Sequence, residues 1–363
     1  MTDKAELVSP IHVLVVDDSA FMRSALSQMI DSESDLAVVA TASCGPDALD
    51  KIPRTDPDVI TLDVQMPRLD GLATLRRIMH RYPRPVIMVS AVAEKDAEVT
   101  FDALSAGAFD YVPKQLSPAS LDILHIRSDL LMKIRAAGLA RRRRSVDPGS
   151  KKPSQSSPPR SRSNTPLHVE IVAVGTSTGG PRALEQILPR FPRNLPVPIL
   201  IVQHMPPGFT ASFAKRLDAL SAITVCEARN GDVVQPGTAY IAPAGSHLRV
   251  ERNTFGSPST LILDSRTHGE PHIPSVNILM SSVAKAFRNR AVGVILTGMG
   301  NDGAQGMSAI YREGGFTIGQ DEGTCAVYGM PRSCAELGIL ACQVPLQEIP
   351  DLVLFATHRR MRA

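Results

Sequence analysis

The sequence of 363 residues contains no tryptophan, and only 4% of its residues are aromatic. Its five cysteines are scattered and form no C-x-x-C pair, which argues against a disulfide framework or a zinc ribbon and favours a reducing compartment. No apolar run approaches the roughly 18 residues of a membrane span. The N-terminus lacks the basic region and cleavage pattern of a signal peptide. We therefore expect a cytoplasmic protein without membrane insertion.

The chain has enough apolar material for folded domains, since 43% of its residues are hydrophobic and 21% are charged. Its length suggests two or three domains of roughly 150 residues. The net charge of +3 is unevenly spread, because residues 141–162 hold eight basic residues and one acid. That stretch carries +7 and leaves −4 for the rest of the chain. The mildly acidic remainder gives no reason to expect a nucleic-acid partner.

The basic stretch also marks the clearest boundary in the sequence. Residues 138–166 read GLARRRRSVDPGSKKPSQSSPPRSRSNTP, a composition rich in Ser, Pro and Arg that has little to bury. We predict a flexible basic linker over residues 136–167, between a first domain at 10–135 and a second at 168–358. The alternative is an electrostatic arm for nucleic acid or acidic lipid. No aromatic residues are interleaved for base stacking, so the linker is the favoured interpretation.

Both flanking regions show the pattern of a parallel α/β fold, in which short apolar strands alternate with helical segments. The strands predicted in the first domain are Ile11–Val16, Leu36–Ala40, Val59–Leu62, Val86–Val89 and Phe109–Val112. The second domain is predicted to have buried strands at Ile171–Val174, Ile199–Val202 and Val292–Leu296. Turn residues between Thr224 and Asp264 indicate a small antiparallel patch. The chain should thus fold into two doubly wound parallel-sheet domains.

Polar residues that suit phosphoryl transfer follow the strands of the first domain. Asp17, Asp18 and Asp63 come at the ends of two strands, at the sheet edge where ligands bind. Three converging carboxylates need a cation, and their hard oxygens suit Mg²⁺. Two further strands deliver Ser90 and Lys114, a hydroxyl and an ammonium that could hold phosphoryl oxygens. Each aspartate alone would more often be a turn or N-cap residue, but the full set favours a phosphorylatable aspartate.

The motifs VVDDSAFMR, LDVQMPRLDG, VSA and DYVPK resemble the receiver domain of bacterial response regulators. The resemblance extends from Ile11 to about Lys133 and implies a flavodoxin-like fold, Asp63 as the phospho-acceptor and a chemotaxis histidine kinase as phosphodonor. It further implies Asp17, Asp18 and Asp63 as Mg²⁺ carboxylates, Ser90 and Lys114 as phosphate-sensing groups and Tyr111 as a rotameric switch. Gln65 departs from the glutamate usual in the closest relatives, a change that could alter the metal or phosphate contacts.

A serine on a sharp turn opens the second domain. In AVGTSTGGPRAL, Ser177 follows a buried strand and precedes Gly179 and Gly180, a pattern that permits a tight strand-to-helix turn with the hydroxyl exposed. The segment has no lysine for a Walker loop and lacks the spacing of a dinucleotide loop. A G-x-S-x-G pattern alone is equally consistent with a plain turn.

A base and an acid for this serine stand at two other predicted strand ends. His204 ends PVPILIVQH, and Asp302 follows VGVIL in a glycine-rich loop. In isolation His204 would more often cap a strand and Asp302 would more often form a turn, but the three loops can converge at one sheet edge. Their order, Ser–His–Asp, differs from that of α/β-hydrolases. His268 and His272 flank Pro271 and do not form a helical metal pair, so we interpret them as loop residues beside the pocket.

The motifs GTSTGGP, QHMPPGFTASFAKRLD, PSVNILMSSVA, LTGMGNDGAQGM and QDEGTCAVYGMPR resemble the catalytic domain of the chemotaxis protein-glutamate methylesterase family. The resemblance covers about His168 to Leu354 and implies a Rossmann-like domain that needs no cofactor for the esterase reaction. It implies Ser177, His204 and Asp302 as the catalytic triad, the backbone N–H of Met299 as the oxyanion donor and Thr178 as the neighbour of the nucleophile. Asn277 replaces an aspartate usual in this motif, which leaves the role of that carboxylate open.

The combined prediction is a serine hydrolase under the control of an aspartyl-phosphate switch. The resemblance implies methyl-accepting chemoreceptors as substrate, with methanol released from glutamate methyl esters and receptor glutamines deamidated. We expect a monomer in which the unphosphorylated receiver blocks the Ser177 cleft, and in which phosphorylation of Asp63 relieves this inhibition. Two alternatives stay open: a non-enzymatic regulator that couples a receiver to a binding module, and the same esterase acting in a receptor-like pathway outside chemotaxis.

Overall fold

Continuous β-branched runs in the sequence form the central strands of two separate units, which divide near residue 150. The computed structural model describes residues 9–67, 69–90, 94–114, 122–146, 168–252, 258–266 and 269–358. All five cysteines are free thiols, as the sequence predicted. No helix in the described ranges is both long enough and apolar enough to cross a membrane.

The first unit is built around a five-stranded parallel sheet with the strand order β2-β1-β3-β4-β5. Strands β3 and β4 are buried along their whole length, as expected for strands covered by helices on both faces. The elements are β1 Ile11–Val16, α1 Ala20–Asp31, β2 Leu36–Ala42, α2 Gly45–Thr55, β3 Val59–Asp63, α3 Gly71–Arg81, β4 Val86–Ser90, α4 Glu94–Ser105, β5 Asp110–Pro113 and α5 Asp122–Val146. All five predicted strands are confirmed.

Helix α5 corrects the start of the predicted linker, because it continues to Val146 rather than ending near residue 135. The reason is tertiary. Arg141 lies 3.0 Å from Asp56 and 3.4 Å from Asp58, and Arg142 donates to the carbonyl of Pro10 at 2.7 Å. These partners are distant in sequence, so the composition of the basic stretch did not reveal them. The rest of the predicted linker, residues 147–167, lies outside the described residues.

The second unit contains a seven-stranded parallel sheet with the order β14-β13-β12-β6-β7-β9-β8. Its elements are β6 Ile171–Thr176, α6 Gly180–Ile187, β7 Ile199–Gln203, α7 Thr210–Leu220, β8 Thr224–Glu227, β9 Thr238–Ile241, β10 His247–Glu251, β11 Thr260–Asp264, α8 Val276–Phe287, β12 Ala291–Ile295, α9 Ala304–Arg312, β13 Phe316–Gln320, α10 Met330–Glu336, β14 Cys342–Val344 and α11 Ile349–His358. A buried apolar cluster contributed by strands and by α8 and α9 forms the core.

The predicted antiparallel patch is present as the pair β10 and β11. The two strands before it, β8 and β9, join the main sheet and pair parallel to each other. The turn at Asn230–Gly231 therefore does not close a hairpin between them, because a parallel pair needs a crossover connection.

Each sheet has a position where the strand order reverses, and ligands bind at such switch points in open α/β sheets. In the first unit β1 lies between β2 and β3, and in the second unit β6 lies between β12 and β7. The residues that follow β1, β3, β6 and β12 therefore surround the two crevices. The candidates Asp17, Asp18, Asp63, Ser177 and Asp302 lie at or after the ends of these strands, and His204, Ser90 and Lys114 lie at or after the ends of β7, β4 and β5.

Candidate functional sites

The crevice of the first unit holds the three predicted carboxylates. One ligand oxygen from each of Asp17, Asp18 and Asp63 lies within 4.8 Å of the other two. Asp17 and Asp63 are buried, whereas Asp18 is exposed. Backbone N–H groups two residues further along the chain bond Asp17 Oδ1 and Asp63 Oδ1 at 2.9 and 3.1 Å, and these bonds orient both side chains. Such a set of clustered oxygen donors fits a hard divalent cation.

Lys114 supplies the positive charge of this crevice. Its Nζ lies 2.9 Å from Asp17 Oδ2 and 2.7 Å from Asp63 Oδ2. The strand β5 ends one residue earlier, and Lys114 N donates to the carbonyl of Ser90 at 2.6 Å. The short link from β5 to β4 thus directs the ammonium over the acidic cluster.

Burial dominates the electrostatics of Asp63. It raises the pKa of the Asp63 carboxyl above its usual range, even though the bond from Lys114 opposes this shift, while the neighbouring charge of Asp17 adds to it. The crevice holds three carboxylates and one ammonium, so a net negative charge remains in it, and partial desolvation makes that charge unfavourable. The site is therefore electrostatically incomplete and can accept a cation.

The other predicted residues of the first site differ in their burial and in their contacts. Ser90 is buried at the end of β4, and its Oγ accepts a hydrogen bond from Thr100 at 3.2 Å. Tyr111 is buried within β5, and its ring lies 5.3 Å from the Lys133 ammonium. Gln65 is exposed, and its backbone N–H donates to Asp63 Oδ1 at 3.1 Å.

The second crevice places Ser177 at the tight turn that the sequence predicted. Its N–H donates to Thr297 O at 3.1 Å, and its carbonyl accepts from Gly180 N at 2.8 Å, where α6 begins. Gly179 has a φ of +77°, and a Cβ there would meet Ala326 Cβ at 2.5 Å. Only glycine suits both the left-handed backbone and the close approach. The helix N-terminus next to Ser177 favours negative charge that develops there.

Sheet register places His204 beside this serine. Thr176 of β6 and Gln203 of β7 are paired in the sheet. Ser177 is the next residue after Thr176, and His204 is the next residue after Gln203. His204 N donates to the carbonyl of Thr176 at 3.2 Å. The nucleophile and base candidates therefore leave adjacent strands at the same edge of the sheet.

Asp302 meets His204 directly, since its Oδ2 lies 2.8 Å from His204 Nε2. The two side chains are 4% and 12% exposed, respectively, so water screens their interaction only weakly. Contact through Nε2 leaves Nδ1 as the ring nitrogen available for a second partner. The loop after β12 thus brings the predicted acid to the predicted base across 98 residues of sequence.

The carboxylate of Asp302 also accepts bonds at the start of α8. Val276 N and Asn277 N donate to it at 2.8 and 2.9 Å, and Ser275 Oγ donates at 3.0 Å. Burial alone would disfavour the charged form, but the bond to His204 and the two backbone bonds outweigh it and lower the pKa of Asp302 to about 2. Asp302 is therefore held as an anion and oriented by several donors.

The loop that carries Met299 packs against the serine. A Cβ at Gly298 would lie 2.9 Å from Ser177 Cβ. The carbonyl of Gly298 accepts bonds from Gly329 N and Met330 N at 3.0 and 2.9 Å, which fixes the loop. Thr178 is buried, and its carbonyl accepts from Thr297 Oγ1 at 2.9 Å. The backbone around Met299 and Thr178 is thus held close to the candidate nucleophile.

Sequence reasoning missed several residues of this site. Gln203 Nε2 donates to the carbonyls of both Ser177 and His204, at 3.0 and 2.9 Å, and so ties the two segments together. Ser275 caps α8 as well as bonding Asp302, and a serine before an apolar helical segment is the sequence signal that could have identified it. The ring of His272 stacks on His204 at 4.3 Å, which agrees with a position beside the pocket. His268 lies outside the described residues.

Comparison with known families assigns both units. Residues 172–353 match the family described as CheB methylesterase, and residues 13–124 match the response regulator receiver domain. Protein-glutamate methylesterase/protein-glutamine glutaminase 1 of Oleidesulfovibrio alaskensis is 44% identical over 372 residues, covering 96% of this chain and all of the relative. The protein of that name numbered 2 in Nitratidesulfovibrio vulgaris is 45% identical over 368 residues, with the same coverage.

A solved structure resembles the second unit. The crystal structure of the Thermotoga maritima CheB methylesterase catalytic domain shares 41% sequence identity with this chain and superposes with a TM-score of 0.50. It covers 52% of this chain and 98% of the Thermotoga chain. Both the sequence relatives and this structure agree with the resemblance that the motifs implied.

Proposed function

The chain belongs to the CheB methylesterase family, and from this premise we propose the roles of its residues in the protein-glutamate methylesterase and protein-glutamine glutaminase reactions. The enzyme demethylates and deamidates chemoreceptors under the control of its receiver domain. The proposal assigns Ser177 as nucleophile, His204 as general base and Asp302 as orienting acid. The observation that carries it is the 2.8 Å contact between His204 and Asp302 at the sheet edge that also presents Ser177.

In the first half of the reaction, Ser177 Oγ attacks the carbonyl carbon of the glutamate side-chain ester while His204 takes its proton. Because Nε2 faces Asp302, Nδ1 is the nitrogen that receives this proton. Asp302 stabilises the imidazolium that forms. The tetrahedral intermediate then collapses, methanol leaves with the proton from His204, and an acyl-enzyme remains on Ser177.

Water resolves the acyl-enzyme by the same path in reverse. His204 takes a proton from water, the hydroxide attacks the acyl carbon and Ser177 leaves with the proton. A receptor glutamine presents the same carbonyl with ammonia as the leaving group, so one triad serves both reactions. Amides have the poorer leaving group, and protonation by the His204 imidazolium is therefore more important for deamidation.

The negative charge of the intermediate needs donors beside the serine. We assign the backbone N–H of Met299 as the oxyanion donor, because the adjoining Gly298 packs against Ser177 and the loop is tied down by Gly329 and Met330. The N-terminus of α6 adds positive potential at this position, and Thr178 is assigned to the pocket as the neighbour of the nucleophile. Preorganised donors of this kind reduce the cost of reorganisation during the reaction.

In the receiver, Asp63 is assigned as the phospho-acceptor, with a chemotaxis histidine kinase as phosphodonor. Asp17, Asp18 and Asp63 would hold Mg²⁺, which when bound neutralises phosphoryl charge. Lys114 would bind a phosphoryl oxygen, since its Nζ already lies 2.7 Å from Asp63. Ser90 would contact a second oxygen, and Tyr111 would change its rotamer. The exposed Gln65 contacts Asp63 through its backbone N–H, so its replacement of glutamate preserves that contact.

The domain assignment that accompanies these roles places the receiver at residues 10–146, extended from the predicted 135 because α5 continues to Val146. The catalytic domain occupies residues 168–358. We propose that the unphosphorylated receiver restrains the esterase and that phosphorylation of Asp63 relieves this inhibition. We place the substrate receptors in the membrane and the enzyme in the cytoplasm.

A receptor peptide that carries either a glutamate methyl ester or a glutamine tests the triad assignment. Mass spectrometry follows the conversion of each peptide to the glutamate form. We expect the wild-type enzyme to convert both and Ser177→Ala to convert neither. Ser221→Ala is the matched control, because Ser221 is the C-cap of α7, at the opposite end of that helix from the segment that carries His204. Conversion of either peptide by Ser177→Ala at the wild-type rate would refute the assignment.

A further inference from the structure

Asn277, in the first turn of α8, occupies the position at which the family motif carries an aspartate. Its side-chain Oδ1 accepts hydrogen bonds from Gly303 N, Gln305 N and Gly306 N, at 3.0, 3.1 and 3.1 Å. These three N–H groups lie at the start of α9, where helical N–H groups have no partner within their own helix. One amide oxygen from α8 therefore caps the N-terminus of α9.

The capping is reciprocal. Asp302, which directly precedes the N-cap Gly303 of α9, accepts from Val276 N and Asn277 N at the start of α8. Each helix thus receives a capping oxygen from a residue at the start of the other, and α8 has its own N-cap Ser275 as well. Neither the loop with Asp302 nor the start of α8 can shift without breaking bonds at the opposite helix.

Close packing leaves little freedom in this arrangement. A Cβ at Gly306 would lie 2.6 Å from Met280 Cβ and 3.0 Å from the carbonyl of Asn277. The two helices approach each other across a glycine, so the distance from Asn277 to the start of α9 is fixed by backbone contact. A lost acceptor at position 277 would not be replaced by a neighbouring side chain without moving one helix.

We propose that Asn277 is a positioning residue that sets the catalytic geometry of Asp302 through the start of α9. The proposal rests on the assignment of Asp302 as the orienting acid of the proposed function. By holding Gly303 and the residues after it, Asn277 fixes the loop that places Asp302 Oδ2 2.8 Å from His204 Nε2. The side chain at position 277 must supply an acceptor oxygen at this distance from its backbone. A carboxylate of the same length also supplies one.

The test compares kcat and KM of the full-length enzyme for methanol release from methylated receptor membranes. Asn277→Ala removes the acceptor, and we expect kcat to fall on the order of 10- to 100-fold, as displacement of a catalytic group does. KM should change by less than about twofold, because Asn277 does not take part in ester binding. Asn277→Asp keeps the oxygen and should retain kcat to within about threefold.

Asn230→Ala is the matched control. Its Oδ1 also accepts a backbone bond, from Leu263 N at 2.9 Å, but in the loop after β8. We expect wild-type kcat and KM for this variant. Rates are normalised to the folded fraction measured by circular dichroism. If Asn277→Ala does not fold, Asn277→Gln replaces it, because it moves the oxygen by one methylene and should give the same loss of kcat.

The outcomes separate this inference from the proposed function. Equal kcat values for Asn277→Ala and Asn230→Ala would overturn the positioning role, and so would equal losses in Asn277→Ala and Asn277→Asp. Asp302→Asn is assayed alongside. If it retains full activity, the assignment of Asp302 itself fails. If it is inactive while Asn277→Ala is fully active, only the positioning role fails.

Discussion

His204 contacts Asp302 through Nε2, at 2.8 Å, whereas the imidazole of the serine-protease triad contacts its aspartate through Nδ1. The ring therefore faces its aspartate in the opposite sense here, and Nδ1 is the nitrogen that the proposed function assigns to Ser177. The histidine leaves β7 on one side of Ser177 and the acid leaves the loop after β12 on the other, on either side of the central β6.

This contact predicts a large kinetic effect for Asp302→Asn. The substituted amide loses the negative charge that stabilises the imidazolium and can present an N–H toward His204, which favours the wrong tautomer. We expect kcat for methanol release to fall on the order of 10³- to 10⁴-fold, as for the equivalent change in a serine-protease triad. Steady-state kinetics on methylated receptor membranes measures the effect. A loss smaller than tenfold would show that the acid is dispensable.

The same carboxylate predicts a dependence of stability on pH. The pKa of Asp302 is lowered from 3.8 to about 2 in the folded protein, so its stabilising contribution is present above the unfolded value and is lost as the pH falls through the folded one. The contribution above pH 5 is about 2 kcal/mol. Urea unfolding of the wild type and Asp302→Asn should differ by about this amount at pH 6, with the difference shrinking between pH 4 and pH 2. A constant difference across that range would contradict the shift.

The sequence was a good guide to the strands and to the residues at their ends, because buried parallel strands are continuous apolar runs and parallel topology brings their carboxyl ends to one edge. It could not reveal contacts between distant segments. The bridge from Gln203 to Ser177 and His204 depends on strand register. The ion pairs of Arg141 stabilise as helix a segment whose composition resembles a linker. Their partners are distant in sequence, so no local pattern indicates them.

The acidic crevice of the receiver predicts stabilisation by Mg²⁺. Three clustered carboxylate oxygens repel one another, and a cation that binds only the folded state raises its apparent stability. We expect millimolar Mg²⁺ to raise the thermal unfolding temperature of the receiver transition in the wild type but not in Asp17→Asn. Asp50→Asn, on the surface of α2, serves as control and should respond like the wild type. An equal response in all three proteins would place the ion elsewhere.

Asp63→Asn tests the electrostatics of the same crevice without a metal. The pKa of Asp63 is raised by burial, so the stability associated with its protonated form is lost as the pH rises through the folded pKa. At neutral pH the charged group therefore destabilises the receiver, and the neutral amide should raise its unfolding temperature in the presence of EDTA. Differential scanning calorimetry measures this change, and a lowered temperature would contradict the assigned sign.

The end of α5 predicts a salt-dependent contribution from Arg141. Its guanidinium is 18% exposed and pairs with Asp56 and Asp58, so Arg141→Met should lower the free energy of unfolding by about 0.5 to 1 kcal/mol. The loss should shrink in 1 M NaCl, where the Debye length is about 3 Å. Arg54→Met, which removes an exposed pair with Asp50, is the control and should cost less. Hydrogen exchange of the amides from 138 to 146 should accelerate only in Arg141→Met.

One experiment decides whether Ser177 acts under the control of Asp63. It measures methanol release from methylated chemoreceptor membranes with and without a small-molecule phosphodonor. We expect the phosphodonor to accelerate release by the wild-type enzyme, to leave Asp63→Asn at its basal rate, and to produce no release by Ser177→Ala, although the latter still becomes phosphorylated. Release by Ser177→Ala at the wild-type rate, or full acceleration of Asp63→Asn, would refute the control of Ser177 by Asp63.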